Sequence, residues 1–343
     1  MSSDIQNTNR LSYVDIGAGV MIIWLLYYHA LWPMYEREIL NVFPWLFYFM
    51  PWFFYKSGYF FKPKSLKESI KKDAGKLLKQ FAIWSAIGYV VYILCRIFLF
   101  DDLSLRNAFY TPLRSLFLGG SIPLNSALWF LLTLFVVRQI ALVVTPKCNA
   151  LWMGLIGAVI ACILHFVNYQ FTPFTIYSTA WGLCFFAIGY AMKKYEQNTW
   201  VIIASAIVLL LTFTMTDIPE VYKKEDTCAW YWYVLWYPAS IAGCVVFNNI
   251  CRWLEKAETK AHTYIHTYIH TSLFSPIKWV GRHSMTFYVA HFIIFKVVYD
   301  LIGKYHEAWY AGWQGVLIIT IAYIGLIVPL CFMIDKIQKG YAK

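Results

Sequence analysis

The chain has 343 residues, 60% of them apolar, 20% aromatic and only 14% charged, with a formal net charge of +11. Apolar runs of about 20 residues recur along its length, which excludes a soluble domain and, by their spacing, an outer-membrane barrel of alternating strands. The positive charge gathers in loops on one side, so it reads as membrane topology and gives no support to nucleic-acid binding.

The fold class expected is all-α: a polytopic transmembrane helical bundle of about ten spans. They fall at 12–33, 41–61, 78–100, 126–144, 150–168, 174–192, 200–216, 230–249, 278–299 and 312–334. Arg138 and most other Lys and Arg lie on the side that this arrangement makes cytoplasmic, which puts both termini in the cytoplasm. The whole of 1–343 forms one integral-membrane domain, with a basic cytoplasmic segment at 62–79 and a second cytoplasmic loop at 250–277. The first run is of full span length and ends in His, Trp and Pro, so it is expected to be an uncleaved anchor. Of the eight cysteines only Cys228 falls in an outer loop, which leaves no disulfide framework and no CxxC metal pattern.

The first span, SYVDIGAGVMIIWLLYYHALWP, carries Asp15 near one end and His29 near the other. A helix separates them by roughly 21 Å at 1.5 Å per residue. An ionisable group inside a span is a functional candidate by default, and a hydrogen bond within the bundle is the competing account of His29. In the second span Pro51 is expected to interrupt the helix, with neighbouring helices satisfying the freed carbonyl. Lys56, followed by Ser57 and Gly58, either snorkels to the interface or stands at the mouth of a cytoplasm-facing cavity.

The segment KPKSLKESIKKDAGKLLKQF is the most basic of the chain and has an amphipathic pattern. As a helix it would set Lys72 and Lys76 on one face, able to meet anionic lipid or an anionic cofactor. Arg96 lies near the outer end of span three. A half-helix is expected around NAFYTPLRSLFL, and SALWFLLTLF then opens span four with Trp129. His165 lies near the outer end of span five. Trp230 to Trp236 form an aromatic belt that, with Asp217, Glu220, Glu225 and Asp226, suits either interface anchoring or a sugar. The repeat HTYIHTYIHT aligns His262, His266 and His270 at helical spacing, and reads as a tandem duplication in a tolerant loop, not as a metal site. In VGRHSMTFYVAHFIIF, Arg282, His283 and Ser284 sit at the inner end, and His291 lies about 14 Å deeper, near the depth of His29. Lys296 is further out, and the last span carries no charge.

Four of these stretches carry a resemblance. YVDIGAGVMIIWLLYYH, FMPWFFYKSGYFF, ALWFLLTLF and GRHSMTFYVAHFIIF resemble, in order, four patterns of the integral-membrane acyltransferase 3 family. These are its Asp–basic–Gly–His first span, PxFFxxSGYFF, LWFL and the late GxxSxxxYxxH. The resemblance implies a membrane O-acyltransferase of the inner membrane that moves an acyl group, expected to be acetyl, from cytoplasmic acyl-CoA to a hydroxyl. The acceptor implied is a bacterial surface glycan or lipid-linked sugar.

His29 is then the candidate general base or acyl carrier, and His291 a second catalytic candidate that orients substrate or stabilises the oxyanion. Candidate contacts to the donor are Asp15, Lys56, Ser57, Lys72, Lys76 and Arg282; candidate contacts to the acceptor are Arg96, Trp129 and His165. No metal is expected, and the partners are the lipid bilayer, acetyl-CoA or another acyl-CoA, and the glycan. One departure stands out: the family has Arg or Lys just before the first-span glycine, where this chain has Ala18. A glycan-pathway transporter whose histidines line a permeation route, and an inactive relative acting as a binding subunit, remain alternatives.

Overall fold

The computed structural model describes residues 11–36, 47–166, 173–212, 230–264, 274–310 and 312–341. Every regular element among them is helical. By length and composition, seven stretches could cross a membrane: Ser12–Met34, Leu66–Phe98, Arg106–Val144, Phe174–Lys194, Tyr233–Thr259, Ser284–Tyr305 and Trp313–Ile337. Ala150–Phe166 and Thr199–Thr212 are apolar but shorter. The three expected spans that fall short, 41–61, 150–168 and 200–216, all run into residues outside those described.

α1 spans Ser12–Glu36. At its first turn the Tyr13 amide donates to Glu255 Oε1 at 3.1 Å, satisfying one of the donors that every helix start leaves open. α2 spans Phe49–Tyr59, and here the expectation for Pro51 needs correction. Pro51 lies in the first turn, where its missing N–H removes no intrahelical bond, so it helps open the helix and does not interrupt it.

Most of the basic segment forms the helix that its amphipathic pattern allows. α3 (Leu66–Asp73) starts at an N-cap in which the Ser65 side chain accepts from the Glu68 amide. It runs through a π-helical turn, Ala74–Leu78, straight into α4, Lys79–Phe98. The half-helix is present as a π turn, Arg106–Tyr110, followed by α5, Thr111–Gly119. Gly120 ends it at φ +71°, a left-handed conformation that glycine adopts without steric cost.

A 3₁₀ turn, Pro123–Leu128, then leads into α6, Trp129–Val144. Asn125 leaves the helical region inside that turn and its side-chain amide donates to the Val289 carbonyl at 3.1 Å, pinning the turn to a distant helix. α7 (Ala150–Phe166), α8 (Phe174–Ala191) and α9 (Thr199–Thr212) follow.

α10 runs from Trp230 to Tyr264, which corrects the second cytoplasmic loop: its first half, 250–264, continues the helix. The residues ICRWLEKAETKAHTY contain no glycine or proline to stop it. His266 and His270 of the repeat lie outside the described residues, as do Asp217, Glu220, Glu225, Asp226 and Cys228. The expected ninth span is two helices, α11 (Ser275–Arg282) and α12 (Ser284–Tyr305), broken at His283. The His283 ring bridges the Trp279 carbonyl at 2.9 Å and the Asp335 carboxylate at 3.1 Å. α13 (Glu307–Tyr310) and α14 (Trp313–Tyr341) complete the chain, and Asp335 belongs to α14.

α8 packs against α2, α6 and α7, and α1 against α10, α11 and α12. Several crossings are close enough that only glycine fits, two of them beside the site. Gly58 of α2 faces the Phe186 backbone and Gly189 of α8 faces the Tyr55 backbone. Gly19 of α1 faces the Ile277 carbonyl, and Gly281 of α11 faces the Asp15 carbonyl. Small residues at helix contacts let backbones meet where lipid-like side chains supply no net hydrophobic drive.

One polar cluster fastens four segments. Glu196, fully buried, pairs with Arg252 and accepts from Tyr55 Oη at 2.8 Å and Asn248 Nδ2 at 2.7 Å. Arg252 also donates to Tyr13 Oη and Tyr59 Oη, each at 3.3 Å. Asn248 in turn accepts from Trp52 Nε1 at 2.8 Å. A buried charge so fully hydrogen-bonded holds α1, α2, α10 and the end of α8 in one arrangement.

Candidate active site

Two cavities lie along the interface of α1, α2, α6 and α12. The first, of about 450 Å³, is basic: Lys56, Ser57, Lys76 and Arg138 line it together with Ser284 and the apolar Ile22, Phe53, Phe60, Phe130, Leu134 and Met285. The second, of about 340 Å³, holds His29 with Leu25, Tyr28, Trp129 and Phe292, and small residues Ser115, Gly119, Ser121, Ser126 and Ala127.

Of the two candidate lysines of the basic segment, only Lys76, inside the π turn, is at the basic cavity. Lys76 lines the cavity and Lys72 is exposed elsewhere. The buried Asp73, just before the turn, clamps this segment to α6: it accepts from Arg138 Nε at 2.9 Å, Gln139 Nε2 at 3.1 Å and Ser69 Oγ at 3.3 Å. Arg138 is thereby aimed, and its Nη1 donates to Ser57 Oγ at 3.1 Å. Lys56 sits with its ammonium 4.9 Å from the centre of the Trp52 ring. The first turn of α12, where backbone N–H groups are open and the helix dipole is positive, ends at the same cavity through Ser284 and Met285.

In the second cavity His29 stands in an aromatic cage. Its ring centre is 5.0 Å from Phe292, 5.7 Å from Phe295, 5.7 Å from Tyr28 and 5.2 Å from His291. His291 is fully buried, and its Nδ1 lies 2.6 Å from the Tyr288 carbonyl oxygen. A carbonyl only accepts, so Nδ1 carries the proton and, in the neutral ring, Nε2 presents a lone pair. That Nε2 has no hydrogen-bond partner among the described residues, an arrangement that costs stability and is a mark of functional positions. Trp129 enters the cavity wall from the start of α6, held by ring contacts to Phe174 at 5.2 Å and Trp181 at 5.8 Å.

Tertiary structure thus brings His29 and Trp129 to one cavity, with His291 packed behind His29, and Lys56, Ser57 and Lys76 to the other. It does not bring Asp15, Lys72, Arg282, Arg96 or His165 to either. Asp15 is buried where α1 crosses α11, and Arg282 is exposed. Arg96 pairs with Asp102 at 3.2 Å between the Tyr92 and Phe100 rings. His165 stacks on Tyr233 at 4.0 Å, between α7 and α10. The residues that sequence reasoning passes over are Arg138 and Tyr288. Arg138 reads there as a topology charge, although it falls inside the 126–144 span, where a charge is itself the signal. Tyr288 is the tyrosine of the late GxxSxxxYxxH pattern, and that pattern is its signal.

An apolar helical bundle holding a cationic cavity and a histidine cavity in register is the framework of a membrane enzyme. The chain belongs to the acyltransferase 3 family, whose model, described as an acyltransferase domain, matches residues 11–336. No curated protein and no solved structure matches it. The protein is a multi-pass membrane acyltransferase.

Proposed function

We propose that the protein transfers an acetyl group from acetyl-CoA, bound in the basic cavity, to a hydroxyl of a cell-surface or lipid-linked glycan held in the His29 cavity. The observation that carries this reading is the division of labour between two adjoining cavities, one cationic and one lined by His29 with His291 packed behind it. CoA is a polyanion, and Lys56, Lys76, Arg138 and the start of α12 converge where its phosphates would dock. Ala18 supplies no cation, but it lies one helical turn from Ile22 of the basic cavity, and Arg138 brings a guanidinium to that cavity from α6.

In the reaction His29 takes the proton of the acceptor hydroxyl as its oxygen attacks the thioester carbonyl. The new C–O bond forms, the C–S bond breaks, and the proton leaves on the CoA thiol. The His291 ring packs against His29 at 5.2 Å, and its unpartnered Nε2 lone pair is available to accept from the other ring nitrogen of His29 and fix its orientation during the reaction. This favours an orienting role over oxyanion stabilisation, because Nε2 has no proton to donate in that tautomer. Trp129 offers a flat apolar face for a sugar ring.

The apolar runs support about ten spans, and the distribution of Lys and Arg supports both termini in the cytoplasm and a basic cavity on the cytoplasmic side, as an inner-membrane enzyme using cytoplasmic CoA needs. Family membership supports an acyltransferase over a transporter. The test is transfer of labelled acetyl from acetyl-CoA into surface glycan by membranes containing wild-type or His29→Ala protein. Label that depends on His29 is the expected result; equal labelling of both refutes the assignment.

A further inference from the structure

Tyr288 is the one residue that lines both cavities among those described. Along α12, Ser284 and Met285 face the basic cavity, Tyr288 faces both, and Phe292 faces the His29 cavity, each step one helical turn. The facing helices change over at the same level. α1 gives Ile22 to the basic cavity and Leu25 to the other, while Phe130 and Leu134 of α6 line the basic cavity and Ala127, just before α6, lines the other. The Tyr288 ring therefore forms the partition. Its hydroxyl donates to the Ala127 carbonyl, and its own carbonyl receives the His291 Nδ1 proton, so partition and histidine pair share a single turn. The end of the basic cavity against this ring is apolar, walled by Ile22, Phe53, Phe130 and Leu134.

We propose that Tyr288 is the gate between donor and acceptor cavities and sets the length of the acyl group transferred. This rests on the basic cavity being the acyl-CoA site. The thioester carbonyl must pass the ring to reach the hydroxyl that His29 deprotonates. The C–S bond is exchanged for a C–O bond and the hydroxyl proton ends on the CoA thiol, as in the proposed reaction. A two-carbon acyl group fits the apolar end with the ring in place. Each added methylene needs space that the pinned ring occupies, and a methylene that a pocket refuses alters kcat/KM by about 10-fold or more.

The test compares acetyl-, butyryl- and hexanoyl-CoA as donors for membranes containing wild-type, Tyr288→Phe and Tyr288→Ala protein. Wild type is expected to favour acetyl. Tyr288→Ala is expected to raise the butyryl-to-acetyl ratio of kcat/KM by about 10-fold or more, while Tyr288→Phe, which keeps the ring, holds the wild-type ratio. Should the alanine variant fail to accumulate, Tyr288→Leu, which shortens the side chain but keeps apolar bulk, carries the same expectation. Acetyl transfer by wild type with an unchanged ratio in the shortened variants overturns the gate alone. No transfer by wild type from any of the three donors overturns the donor assignment, and the gate with it.

Discussion

The rings of His29 and His291 lie 5.2 Å apart and 33° from parallel, although they come from α1 and α12, more than 250 residues apart in the chain. His291 Nδ1 donates a hydrogen bond to the Tyr288 carbonyl, so its other nitrogen can only accept, and that nitrogen has no partner among the described residues.

If the two act as a base and its orienting partner, each alanine variant loses transfer per folded molecule. His29→Ala is expected to lower kcat by about 100- to 10,000-fold, the range for a lost acid–base group. His291→Ala is expected to fall by less, and the double variant to be no worse than His29→Ala alone, since groups acting as one unit are not additive. Acetyl transfer normalised to folded protein checks this. A double variant that multiplies the two losses contradicts the pairing.

Arg138 is held by Asp73 and touches Ser57, with Lys56 and Lys76 lining the same cavity. Arg138→Ala is expected to raise KM for acetyl-CoA by about 10-fold or more, consistent with about 1.5–3 kcal/mol for a hydrogen bond to a charged group, and to change kcat less. Arg138→Lys should recover only part of this, because an ammonium cannot reproduce the guanidinium fork. Initial rates against acetyl-CoA concentration separate the two constants.

The Glu196–Arg252 cluster is expected to matter for stability and not for chemistry. Glu196→Ala leaves Arg252 buried without its carboxylate and should cost about 3–5 kcal/mol, seen as a lower Tm in detergent. The pair Glu196→Leu with Arg252→Met removes both charges and should cost less than the sum of the single changes. KM for acetyl-CoA in the surviving protein should remain at the wild-type value.

Glycines separate by what they face. A Cβ at position 281 runs into the Asp15 carbonyl oxygen, so Gly281→Ala should push α11 from α1 and lower Tm. Gly325 of α14 has open space around its Cα, so Gly325→Ala should be neutral or raise stability by about 1 kcal/mol through helix propensity. Thermal unfolding of the two variants in the same detergent makes the comparison.

Much of the candidate site is legible in the residue order. His29 and His291 stand out as ionisable groups in apolar runs, and Lys56 and Ser57 lie at the end of one. What escapes is whatever depends on rotation about a helix axis or on where a helix begins. Pro51 reads as a break because the start of α2 at Phe49 is not visible in a continuous apolar run. Lys72 and Lys76 read as equivalent because their spacing does not show which of two exposed lysines a neighbouring helix approaches. Residues 250–264 read as loop because their charge marks them as outside the membrane, which does not stop a helix from continuing.

By itself, then, the residue order determined the all-helical class, the apolar helices and the family, because hydropathy and short motifs are local properties of the chain. Only the tertiary structure decided which charges face a cavity and which face outward. Helix phase, the backbone approach allowed by Gly19, Gly58, Gly189 and Gly281, and the Asp73–Arg138 clamp all arise from contacts between distant segments. Those contacts put Arg138 in the basic cavity, His291 beside His29 and Tyr288 between the two cavities.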